Sequence, residues 1–220
     1  MKDSDYYQKR KDSRSFGHRL ERRAFEIYDC IIRHQKKGDL RILDIGTADG
    51  SMIDHLSGKL PEAAFVGADI SLYLLSKAKG KKLIAVCSDA CKLPFKEDTF
   101  DVITGAAVIE HLYSVEKFME EIVRILKKSG LCIFTTPNPL HDYIVSTVLP
   151  WYGKDHINRL SLRALRRILS DYGVMTLTAK GFLFLPCALP CERLIEKVVN
   201  KMKLSFLLFN QIIAGRKQEE

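Results

Sequence analysis

No run of 18 uncharged apolar residues occurs in this 220-residue chain, so no stretch reads as a membrane-spanning helix. The first residues are polar and charged, without an apolar core behind a basic start, and no secretory leader is expected. Six cysteines are present but never as Cys-x-x-Cys. The pairs Cys87/Cys91 and Cys187/Cys191 lack the tighter spacing of structural zinc sites and have no histidine pair beside them. Free thiols in a reducing, cytoplasmic setting are the expectation. A Gly-x-Gly-x-x-Gly fingerprint is also missing, which argues against a dinucleotide site.

The 46% hydrophobic and 28% charged residues suffice for one sizeable core. The net charge of +8 is uneven: residues 1–23 carry 8 Lys and Arg against 4 Asp and Glu, residues 150–220 carry 12 against 6, and the middle carries 15 against 17. Basic ends of this kind can attract an anionic substrate, nucleic acid or a membrane surface. Ordinary solubilising charge explains them as well. Residues 1–15 show no apolar period and are expected to be a flexible basic segment. From Phe16 the spacing of Leu20, Ala24, Ile27, Tyr28 and Ile31 predicts a helix, and residues 16–220 are read as one domain.

The informative stretch is Arg41–Ser51. Ile42, Leu43 and Ile45 form a short buried strand that breaks into Gly46 and Gly50 ahead of an apolar-periodic segment with Met52, Ile53 and Leu56. A strand, a glycine turn and a helix start make a place where a nucleotide-like ligand can lie against backbone and helix N–H groups. A second strand, Ala64–Asp69, ends in an acid 23 residues past Gly46, the separation at which a ribose diol would be held. A third strand ends at Asp89-Ala90. A fourth, from Phe100, opens through Ala106 into Glu110-His111-Leu112, and a fifth follows Gly130. Helical patterns near 51–60, 72–78 and 115–128 separate the strands. That alternation predicts a doubly wound α/β fold, a parallel sheet with helices on both faces and its ligand at the carboxyl ends of the strands.

In order and spacing these stretches resemble the class I S-adenosylmethionine (SAM) dependent methyltransferases. Asp44, Gly46, Ala48 and Gly50 resemble the family's first motif, an acid followed by small residues at alternate positions, with Ala48 where a glycine is usual. The resemblance implies a single Rossmann-like, seven-stranded sheet, mostly parallel with an antiparallel last strand, and SAM as cofactor. It places Asp44, Gly46, Thr47, Ala48 and Gly50 around the cofactor, Asp69 and Ile70 at the ribose, Asp89 and Ala90 at the adenine, and Ala106 at the end of the fourth strand. Glu110-His111 resembles the quinone-biosynthesis O-methyltransferase group, in which a divalent metal can be held by that pair and a second Glu three residues upstream. Here that position is Ala107, so no metal is expected, although Glu110 and His111 could form part of a weaker site.

The reaction implied is in-line transfer of a methyl group to a small-molecule acceptor, at an oxygen if a base is at hand. His111 and His156 are the candidate bases. An insertion over about 139–160 is expected to shape the acceptor site, with Trp151, Tyr152 and His156 as its lining and Tyr6, Tyr7, Phe16 and His18 as lid candidates. Two other readings stay open. An RNA methyltransferase would suit the basic ends, but Pro137-Asn138-Pro139 is not the Asn/Asp-Pro-Pro-aromatic motif of base-methylating enzymes, and no appended RNA-binding module is evident. A noncatalytic SAM-binding partner subunit would carry the same motifs. The stripe of Leu194, Ile195, Val198, Val199 and Met202 could lie on a membrane surface, but core packing explains it equally.

Overall fold

The computed structural model describes residues 14–35, 38–148, 155–183 and 191–219. Helix α1 (Arg14–His34) starts two residues ahead of the expected Phe16. The first half then alternates: β1 (Arg41–Ile45), α2 (Ser51–Ser57), β2 (Ala64–Asp69), α3 (Leu72–Ser76), β3 (Ile84–Cys87) and β4 (Phe100–Ala106). A 3-10 turn at Ile109–His111 leads to α4 (Val115–Ile125) and β5 (Leu126–Pro137). The C-terminal part holds α5 (Pro139–Val148), α6 (Leu162–Asp171), β6 (Val174–Phe182), α7 (Glu192–Lys201), a 3-10 turn at Ser205–Leu207 and β7 (Asn210–Lys217).

The strands form one seven-stranded sheet in the order β3-β2-β1-β4-β5-β7-β6. β1 to β5 pair in parallel, and β7 runs antiparallel to both β5 and β6. Strand order reverses between β1 and β4, which opens a crevice at their carboxyl ends. Adjacent residues serve opposite faces. Leu43, Ile103, Cys132 and Phe134 pack with Phe118, Met119 and Ile122 of α4 and with Leu165 and Leu169 of α6. Ile42, Val102, Leu131 and Ile133 pack with Ala24, Ile27 and Ile31 of α1 and Met52, Ile53 and Leu56 of α2. Burying each such side chain contributes roughly 1.5 to 3 kcal/mol, and together they fix the strand ends on which the site is built.

Besides the start of α1, further boundaries differ from the sequence reading. Helix α4 stops at Ile125 rather than near Lys128, because Leu126 already pairs with Phe100 of β4. Gly130 therefore lies inside the fifth strand rather than ahead of it. It sits in the bulged start of β5, where a Cβ would meet the Lys127 carbonyl at 2.7 Å. The insertion after β5 opens not on irregular chain but on α5, with Pro139 at its first position and the Asn138 side chain accepting the Leu140 N–H at 3.1 Å. Asn-Pro is a helix-start signal that the surrounding prolines obscured. Strand β6 runs unbroken from Val174 to Phe182, with Gly181 paired to Gln211.

Candidate active site

The loop after β1 takes three left-handed turns, at Gly46 (φ 69°), Ala48 (φ 51°) and Gly50 (φ 74°). Gly46 is also fixed by packing, since a Cβ there would lie 2.4 Å from a Val108 methyl. Ala48 holds the same backbone state with a side chain, a strain of roughly 1 kcal/mol. A hydrogen bond offsets it: the Ala48 N–H donates to Asp69 Oδ2 at 2.8 Å. Asp69 Oδ1 accepts the Ser71 N–H at 2.9 Å, so this carboxylate ties the first loop to the start of α3. A carboxylate offers about four acceptor positions, which leaves two for a diol.

The other strand ends lie beside it. Asp44 is buried at the end of β1 and accepts the Thr104 hydroxyl at 2.8 Å. The Thr47 hydroxyl is buried and has no partner among the described residues. Ile70, just past β2, is 74% exposed. Asp89 follows β3, accepts the Cys91 N–H at 2.8 Å and the Tyr113 hydroxyl at 3.2 Å, and Ala90 beside it is half-buried. Ala106 ends β4, also half-buried. A row of acids, an orphan hydroxyl and an uncovered apolar side chain at the crevice fit a ligand with a diol, an amine and a flat ring.

On the other side of β4, Ala107 turns left-handed (φ 60°) and directs the chain into the 3-10 turn. Glu110, on that turn, is 2% exposed, and no other described residue donates a hydrogen bond to its carboxylate. Burial pushes its carboxyl up, against the pull of its own amide and of Arg23, His111 and His156. The segment after α5 is bound to this turn: the N–H groups of Ile157 and Asn158 donate to the Glu110 carbonyl at 2.7 and 3.1 Å, and the Asn158 amide donates to the carbonyls of Ile109 and Leu112. His111 and His156 thereby meet edge to face, ring centroids 4.9 Å apart.

Each imidazole is held from behind. His111 Nδ1 lies 3.0 Å from the Asp155 carbonyl, which can only accept, so Nδ1 carries the proton. His156 Nδ1 lies 2.6 Å from Asp142 Oδ1, and Arg159 Nε donates to the other carboxylate oxygen at 2.8 Å. Asp142 and Arg159 were not singled out in the sequence, and 14 residues of separation between Asp142 and His156 match no motif. The donor for Asp142 becomes visible only once α5 is known to be a helix. Trp151 and Tyr152, and the lid candidates Tyr6 and Tyr7, lie outside the described residues. His18 faces away toward α7, 3.5 Å from Glu192, in a buried ion cluster where Arg22 of α1 meets Glu196 at 2.6 Å. Phe16, beside it in sequence, is half-buried.

Comparison with known proteins bears on the family and the fold. A family model described as "Methyltransferase domain" matches residues 14–178. The chain belongs to the class I SAM-dependent methyltransferases. Their cofactor is SAM, and the residues at the strand ends suit it. Among curated relatives of this methyltransferase, a malonyl-[acyl-carrier protein] O-methyltransferase of Legionella pneumophila is 30% identical over 140 residues, 61% of this chain and 46% of that protein. A ubiquinone/menaquinone biosynthesis C-methyltransferase UbiE of Desulfotalea psychrophila is 27% identical over 116 residues, 51% of this chain and 47% of that protein. The chain thus spans about half the length of these two relatives. Among solved structures, a Haloferax volcanii putative methyltransferase in complex with the Trm112 activator superposes with a TM-score of 0.72 at 17% identity, covering 96% of both chains. An Archaeoglobus fulgidus SAM-dependent methyltransferase superposes at 0.64 with 21% identity, covering 93% of this chain and all of that one. At these identities the superpositions speak for the fold. No helix among the described residues is long and apolar enough to cross a membrane.

Proposed function

We propose that this methyltransferase transfers the methyl group of SAM to a hydroxyl oxygen of a small amphiphilic molecule. The single observation that carries this reading is the Glu110, His111, His156 cluster just beyond the end of β4, beside the strand ends that suit the cofactor. A sulfonium is already activated, so the protein's work is to place the acceptor behind the S–CH3 bond. Well-oriented pairs reach effective molarities of about 10⁵ to 10⁸ M. A hydroxyl also has to lose its proton, and this cluster is the polar machinery available for that. In the proposed arrangement Asp44, Gly46, Thr47, Ala48 and Gly50 hold the methionine part, Asp69 and Ile70 the ribose edge, and Asp89 and Ala90 the adenine. Ala106 forms the floor between cofactor and acceptor.

The amphiphilic acceptor is inferred from the surface next to His156. Helix α5, which supplies Asp142, exposes Leu140, Tyr143, Ile144 and Val148, and Ile157 beside His156 is exposed too. Such a patch suits an apolar body whose hydroxyl points at the imidazoles. Trp151 and Tyr152 are proposed to extend it. Five free thiols among the described residues support a cytoplasmic setting. The test is a panel of phenols, aliphatic alcohols, carboxylates and amines incubated with isotopically methyl-labelled SAM. Label appearing in ethers of apolar alcohols or phenols supports the reading. Label confined to amines or carboxylates contradicts it.

A further inference from the structure

We propose that Glu110, His111 and His156 form a site for one first-row divalent cation of the zinc type. One ligand atom from each residue lies within 4.8 Å of the others. Around a tetrahedral zinc with bonds of about 2.0 to 2.2 Å, ligand atoms stand about 3.3 Å apart, so the three atoms have about 1.5 Å at most to close. The donor set is two imidazoles and one carboxylate, a combination that leaves further coordination positions open.

Two independent observations point to a cation here. Glu110 is a 98% buried carboxylate, given its 2% exposure, and no other described residue donates to it. A structure rarely keeps such a group without a partner. Both imidazoles, moreover, have Nδ1 committed to an oxygen acceptor, His111 to the Asp155 carbonyl and His156 to the Asp142 carboxylate. That fixes the tautomer with its lone pair on Nε2, the arrangement by which outer groups orient histidine ligands. Asp142 is held in turn by Arg159. The segments bearing the ligands are pinned together by the Ile157 and Asn158 hydrogen bonds to the 3-10 turn.

The third ligand is what distinguishes this site from the Glu-x-x-Glu-His arrangement that the sequence resemblance brings with it. Ala107 offers no ligand atom, and the vacancy in the pattern led to the expectation of no metal. His156, 45 residues after His111 in sequence, is brought in by the return of the chain from α5. What the cation would do rests on the proposed oxygen chemistry: as a Lewis acid it lowers the pKa of a coordinated hydroxyl. The proton leaves to solvent, the acceptor oxygen forms a bond to the methyl carbon, and the C–S bond breaks with its electron pair staying on sulfur. Asp142 is then a positioning residue for His156.

The experiment uses full-length, tag-free protein stripped with a chelator. Co²⁺ is titrated while the visible d–d absorption is recorded, Zn²⁺ is titrated calorimetrically, and S-adenosylhomocysteine (SAH) binding is measured on the same samples. The expected result is one equivalent of Co²⁺ with a d–d spectrum of four or five coordination, displaced by Zn²⁺. Affinity should fall at least 100-fold in His156→Asn and in Glu110→Gln, and roughly 10- to 100-fold in Asp142→Asn. Unchanged SAH binding certifies that each variant is folded, and His111→Asn replaces any variant that is not. A protein that binds SAH but takes up no stoichiometric Co²⁺ or Zn²⁺ overturns the cation site and leaves the methyl-transfer reading intact. So does cation binding unchanged in the ligand variants. Stoichiometric metal without SAH binding would sustain the site and sink that reading.

Discussion

The two sides of the β1–β4 crevice are built on different principles. On the proposed cofactor side, each group sits at the end of its own strand or in the loop that follows, and the hydrogen bonds that shape it are largely to backbone: Asp69 to the N–H groups of Ala48 and Ser71, Asp89 to that of Cys91. On the proposed acceptor side, the groups come from the 3-10 turn, α5 and the segment after it, which is tied to the turn by the Ile157 and Asn158 N–H groups and oriented by side-chain pairs, His156 on Asp142 and Arg159 on Asp142. The first side is assembled by the sheet alone. The second exists only once a chain segment after β5 has returned across the end of β4. Cofactor binding should therefore survive damage to the acceptor side, and turnover should not.

The largest effect expected from breaking this separation is on catalysis. His156→Ala should lower kcat by about 100-fold or more while SAH affinity, measured calorimetrically, stays within about twofold. Next comes Asp69→Ala, which removes the carboxylate between the first loop and α3. Losing a charge-assisted bond of roughly 1.5 to 3 kcal/mol should weaken SAH about 10- to 150-fold. Gly46→Ala tests the loop itself. With a positive φ and a Val108 methyl 2.4 Å from the new Cβ, it should cost roughly 1 to 3 kcal/mol in denaturant unfolding. Ser114→Ala lies outside both sides and removes the cap on the Lys117 N–H of α4. Stability should fall by about 1 kcal/mol with SAH affinity and kcat/KM unchanged. The smallest effect should be a gain, as Ala48→Gly relieves the left-handed strain and raises stability by about 0.5 kcal/mol.

The same contrast explains what could be read in advance. The places of Asp44, Gly46, Asp69 and Asp89 at the strand ends were legible because a parallel sheet repeats one local pattern, an apolar run ending in a turn, and each of these residues lies where such a run ends. The seven-stranded, mostly parallel sheet with its antiparallel last strand followed from that alternation together with the family resemblance. Glu110 and His111 were legible as a pair adjacent in sequence, and His156 as an isolated imidazole. Their meeting was not, since it depends on α5, whose Asn138-Pro139 start reads locally as irregular chain. Asp142 had no signal of its own, because a carboxylate one turn into an unrecognised helix looks like surface charge. The boundary at Ile125 was missed for a similar reason: pairing of Leu126 with Phe100 overrides the helical period of the residues beyond it.

The separation of the two sides is tested most directly by calorimetric titration of the full chain with SAH beside NADH, repeated on Asp69→Ala and His156→Ala. Binding of SAH but not NADH is predicted, weakened strongly by the first substitution and untouched by the second. Folded protein that binds no SAH, or that loses it as readily through His156 as through Asp69, would contradict the division between a cofactor side made by the sheet and an acceptor side laid across it.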